Sequence, residues 1–92
     1  MQVTGKVKRV EEIKTVGAND FKTREIVVVT EEQYAQTLAV QFTQGNVTIL
    51  DNYKEGDKVK IDINLKGRDW TNAEGKTTCF NTIEGWKIEK VA

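Results

Sequence analysis

The stretch GRDWTNAEGKTTCFNTIEGW, residues 67–86, sets Arg68 and Trp70 before a turn-like segment and Phe80 after it. The turn itself carries Asn72, Gly75 and Lys76. A cation among large aromatics has two readings: the edge of an apolar core, or a grip on something flat and negatively charged. Single-stranded nucleic acid is such a ligand. Aromatic faces stack bases at about 1–3 kcal/mol apiece, while guanidinium and ammonium groups follow the phosphates. In that reading Trp70 and Phe80 stack bases, and Lys22, Arg24, Arg68 and Lys76 contact phosphates. Gln41 and Asn81 then bond base edges or sugars, and Phe21 supplies an aromatic beside Lys22.

Other chemistries lack their residues. The chain has no His and no Ser, so Ser-His and Cys-His nucleophilic pairs are excluded. One cysteine, Cys79, allows no internal disulfide and no usual zinc constellation. A lone free cysteine is ordinarily a small buried residue, and Cys79 is expected to be one. The acidic neighbours Glu11–Glu12 and Glu31–Glu32 show no opposed geometry for acid–base work. A non-catalytic protein without metal or cofactor is expected. Lys plus Arg equals Asp plus Glu, 14 each, so nucleic-acid binding requires a locally basic face. No apolar run approaches the roughly 20 residues of a membrane helix. The start, MQVTGKVKRV, lacks the apolar segment of a signal peptide, and a cytoplasmic location is expected.

The elements that must position these residues read as strands. With 92 residues, one domain with a modest core is expected. In QVTGKVKRV, Val3, Gly5 and Val7 share a face, and the mid-strand Gly5 suits a coiled strand that changes sheets. TVGAND reads as a turn, FKTREIVVVT as a β-branched strand, and TLAVQF as the third strand. Residues 46–52 hold the one helical turn, with Val47, Leu50 and Tyr53 on one side. KVKIDINLKGRDW alternates most clearly, with Val59, Ile61, Ile63 and Leu65 inward and Lys66, Arg68 and Trp70 outward. In TTCFNTIEGWKIEKV, Ile83 and Trp86 have opposite parity; burying both requires a bulge, for which Gly85 is the natural place.

Five strands with a short helix between the third and fourth is the order of an OB-fold, a partly open Greek-key barrel. An SH3-like barrel is the rival. OB-folds bind oligonucleotides with the face of their second and third strands and with the first and last hairpin loops. Phe21, Lys22 and Arg24 lie at the first loop, and Gln41 has outward parity on the third strand. With Cys79 and Ile83 inward, Phe80 points outward, opposite Arg68 and diagonal to Trp70. The core competes for each aromatic. Trp70 is either a cap on the barrel end or a stacking platform; Phe80 and Phe21 divide evenly between core and surface. Trp86, followed by Ile88, is expected in the core. Lys6, Lys8, Lys58 and Lys60 read as a solvated face.

The segment KGRDWTNAEGKTTCFNTIEGWKIE also resembles the C-terminal hairpin of a family of small bacterial and phage OB-fold proteins, found mainly among Bacteroidetes. They are grouped as uncharacterised or as single-stranded-DNA-binding proteins. The matching positions are Gly67, Arg68, Asp69, Trp70, Thr71 and Asn72, then Gly75, then Phe80, Asn81 and Thr82, and finally Trp86, Lys87 and Ile88. VTGKV, FKTREIVVVT and QFTQGNVTILDNYKEGDKVKI extend the likeness over the chain. Cys79 stands where that family often has an aromatic, and Lys87 where it often has Arg. The resemblance implies an OB-fold and singles out Arg24, Arg68, Trp70 and Phe80. The expectation is therefore single-stranded DNA binding with little sequence preference, in replication or recombination, with RNA as the alternative polymer. A protein-interaction module or homo-oligomer using the same surface is the second reading, and an oligosaccharide platform the third.

Overall fold

Ile26, Val27 and Val28 are β-branched and almost wholly buried, and they lie at the centre of β3, a strand that pairs on both sides. The computed structural model describes residues 1–91. Its elements are β1 (Gln2–Val10), β2 (Lys14–Val16), β3 (Phe21–Thr30), β4 (Thr37–Thr43), a 3₁₀ helix (Gln44–Asn52), β5 (Lys58–Thr71) and β6 (Thr77–Lys90). The strands form one sheet in the order β1-β5-β6-β4-β3-β2, and β1 pairs β3 as well. That extra pairing closes the sheet on itself. The narrowest link in the ring is β4 to β6, a parallel contact at Gln41↔Glu84.

The corner falls at Gly5. Gln2–Lys6 pair β5 and Gly5–Val10 pair β3, so Gly5 and Lys6 serve both neighbours. A Cβ at Gly5 would collide with the Val29 carbonyl, which requires glycine there. Val7, Ile26, Val28, Val40, Phe42, Leu50, Val59, Ile61 and Ile63 fill the interior. The helix contributes Val47 and Leu50 to it, and Tyr53 comes next, its hydroxyl donating to the Ile88 carbonyl (3.1 Å).

Three expectations change. Residues 14–16 form a sixth, short strand folded back on Phe21–Thr23; Gly17 and Asp20, both at positive φ, make the intervening turn. Leu65, expected inward, is 63% exposed. Its strand has left the sheet body: the β1 pairing ends at Gln2↔Asp62, and the core ends at Ile63. Cys79, expected buried, is exposed for the same reason, since it lies on the opposite strand of that extension.

Candidate nucleic-acid interface

β5 and β6 pair from Val59↔Lys90 to Thr71↔Thr77. Beyond Asp62 and Glu84 no third strand among the described residues is paired to them, so Leu65–Thr71 and Thr77–Ile83 form a two-stranded ribbon projecting from the sheet. Its tip is a tight turn. Asn72 Oδ1 accepts from the backbone N–H of Glu74 (2.9 Å) and of Lys76 (3.0 Å), and Gly75 takes φ 82°. The Thr71 and Thr77 hydroxyls bond each other at 2.9 Å across the last pair.

On this ribbon Arg68 lies directly opposite Phe80, and Trp70 opposite Thr78. Trp70 is therefore diagonal to Phe80 on the same face, within reach of long side chains at roughly 7–8 Å. Trp70 and Phe80 are about half exposed, 51% and 49%. Lys66, Arg68, Phe80 and Thr82 line a shallow groove of about 230 Å³. Lys66 pairs with Glu84 at 3.2 Å, whereas Arg68 and Lys76 have no acidic partner among the described residues.

The other expected site residues are not gathered there. Asn81 has the opposite parity from Phe80: it pairs Gly67, on the side that Cys79 shares. It cannot join the stacking face. Arg24 is a second correction. It shares parity with the buried Ile26, so its side chain turns inward and is only 13% exposed. Its Nε donates to the Glu11 carbonyl (2.8 Å), and its Nη1 donates to the Val47 carbonyl (3.0 Å) and to Asp51 (2.7 Å). That guanidinium ties β3 to the helix and is not free for a phosphate. The parity of Arg24 with Ile26 and Val28 is the sequence signal for this role.

Phe21, 39% exposed, opens β3 opposite Val16, and Lys22 comes after it with opposite parity. They sit beyond the Thr23↔Thr43 end of β3–β4, while the parallel Gln41↔Glu84 register runs the ribbon from the Thr37 end. The two hairpins thus flank the β3–β4 face from opposite ends. Gln41 lies between them, paired with Glu25 and Glu84 and lining a cleft of about 160 Å³ with Glu11, Glu12 and Glu25 and with Lys14 and Arg24. The middle of that face is of mixed charge: Glu84 is answered by Lys66 and Glu11 by Arg9.

Trp86 is the residue that sequence reasoning misplaced most. Asp62 pairs Lys87 but Ile63 pairs Gly85, so Trp86 is the extra residue of a β-bulge. A Cβ at Gly85 would lie 2.5 Å from Phe42 Cζ; Gly85 points inward and the Phe42 ring takes the space below it. The bulge turns Trp86 out, 53% exposed, instead of burying it. The predicted bulge exists, with the opposite outcome for the indole.

A family model described as a domain of unknown function (DUF3127) matches residues 2–89. The chain belongs to that family. The match covers β1 through most of β6, so the ribbon and the closed sheet are both within the DUF3127 domain. No curated protein matches the sequence. Among the described residues no cluster of His, Cys, Asp and Glu is arranged to hold a metal ion, and no helix is long and apolar enough to cross a membrane.

Proposed function

We propose that this DUF3127 protein is a non-catalytic OB-fold module that binds single-stranded DNA with little sequence preference. Setting aside the short β2, the ring of five strands with a helix between the third and fourth supports the OB-fold reading. One observation carries the function: a free guanidinium faces a half-exposed ring, with a second ring diagonal to it, on a projecting ribbon. Bases stack on Trp70 and Phe80 whatever their identity, and Arg68 and Lys76 hold phosphates.

Titration of labelled oligo-dT at low and moderate salt tests this reading. Affinity falls as salt rises. Trp70→Ala weakens binding by about 1–3 kcal/mol and leaves the far-ultraviolet circular dichroism unchanged. No binding at low salt, or tight binding indifferent to salt, defeats the proposal.

A second reading, a homo-oligomer, has its own support. Along Thr77–Ile83 the outer edge of β6 carries no charged residue and has no strand partner among the described residues, and uncharged open edges pair with other strands. Light scattering across a concentration series separates the two. A stable dimer that ignores oligo-dT favours this second reading.

A further inference from the structure

Trp86 and Lys87 sit on the same outer face of β5–β6 as Phe80 and Arg68. Asn64↔Glu84, Lys66↔Thr82 and Arg68↔Phe80 alternate along that face with the inward pairs, and the bulge sets both Trp86 and Lys87 opposite the outward Asp62. One face therefore carries, in order, Trp70, the Arg68–Phe80 pair, Lys66 with Thr82, Asn64 with Glu84, and Trp86 with Lys87. At about 3.3 Å per residue, Trp86 stands roughly 20 Å from Phe80.

The acids along this path are engaged. Glu84 is held by Lys66 at 3.2 Å, and Asp62 Oδ1 accepts from the Gln2 side-chain amide at 2.7 Å. Arg68 and Lys87 have no acidic partner among the described residues. The β3–β4 face offers no such row: Glu25 and Gln41 lie across it beside the paired Glu84, and the adjoining cleft mixes Glu11 and Glu12 with Lys14 and the tied Arg24. A polyanion finds aromatic rings alternating with partnerless cations along the ribbon face.

We infer that a bound single strand runs lengthwise along the outer face of β5–β6, and that Trp86 with Lys87 forms a second base-stacking and phosphate station at its far end. The inference rests on the single-stranded-DNA reading above and fixes the path within it. A short oligomer occupies only the Trp70–Phe80 end. One long enough to span the face reaches Trp86.

The chain has two tryptophans, Trp70 and Trp86, so single replacements isolate each as a fluorescent reporter. Trp86→Phe leaves Trp70 to report, and Trp70→Phe leaves Trp86. Oligo-dT of about four and of about a dozen nucleotides both fall within the range of roughly 4–16 bound by one OB-fold. Both lengths quench Trp70; only the longer one quenches Trp86. Trp86→Ala weakens binding of the longer oligomer about 5- to 140-fold and leaves the shorter one nearly unchanged. If the longer oligomer quenches Trp70 but leaves Trp86 fluorescence untouched, and Trp86→Ala binds it as the wild type does, the path is wrong while DNA binding stands. If fluorescence anisotropy detects no oligomer of either length, the DNA reading and the path fall together.

Discussion

Arg24 and Arg68 carry the same guanidinium into opposite surroundings. Arg24 is nearly enclosed, with two backbone carbonyls and the Asp51 carboxylate as acceptors; Arg68 projects from a strand with no acid paired to it among the described residues. Removing the first leaves the carbonyls of Glu11 and Val47 without their donor, a loss of about 2–3 kcal/mol. Arg24→Met thus lowers the urea midpoint while the protein that remains folded binds oligo-dT normally. Arg68→Ala does the reverse: stability stays within about 0.5 kcal/mol and affinity drops. A third substitution probes the bulge. At Gly85→Ala the new methyl meets the Phe42 ring at 2.5 Å and Val40 Cγ1 at 2.9 Å, and overpacking of this kind costs about 1–3 kcal/mol. Denaturant titration reads it directly.

At the scale of elements, the ribbon is the least supported part of the sheet. An isolated two-stranded hairpin is marginal in water, and beyond Ile83, which still packs on the core, no further strand among the described residues pairs with it from Lys66↔Thr82 to Thr71↔Thr77. Its turn therefore matters: Asn72→Ala removes both acceptor contacts at the tip. Faster amide exchange across Arg68–Lys76 is expected, with the body of the sheet unaffected. The helix exit offers a contrasting, anchored element. Burial, then the nearby Glu89 and Asp57 carboxylates, raise the Tyr53 hydroxyl above its ordinary value. Above pH ~10 the unfolded chain has released this proton and the folded one retains it, so stability falls as pH rises through the raised folded value; below ~10 the contribution is fully present. Alkaline denaturation should be flatter in Tyr53→Phe. These elements differ in how far the sequence foretold them. FKTREIVVVT coincides with β3, and the parity of Val59, Ile61, Ile63, Arg68, Trp70 and Phe80 comes from alternation alone. Leu65, Cys79 and Trp86 do not obey it so simply. A period of two tells which residues share a face, but not where the covering strand stops or which residue a bulge ejects. Those depend on Gln2↔Asp62 and on the Phe42 ring, which are distant in sequence.

For the whole molecule, a net charge of zero conceals an uneven arrangement. Several cations on the closed sheet are answered: Arg9 by Glu11, Lys58 by Glu31, Lys60 by Glu89 and Lys90 by Asp57. These pairs are solvent-accessible and contribute little to stability, so moderate salt should leave the unfolding midpoint nearly fixed. Binding should respond differently, because it depends on cations without partners. Arg68, Lys76 and Lys87 are the ones on the ribbon and its root, and three phosphate contacts at about −0.7 each give a slope near −2 for log K against log salt. Arg68→Ala should shorten that slope by about 0.7. Lys22→Ala should not change it, since Lys22 lies at the opposite end of the β3–β4 face from the ribbon. A salt series on the three proteins decides the matter. A slope that responds to Lys22 and not to Arg68 would place the polyanion at the first hairpin and not on the ribbon.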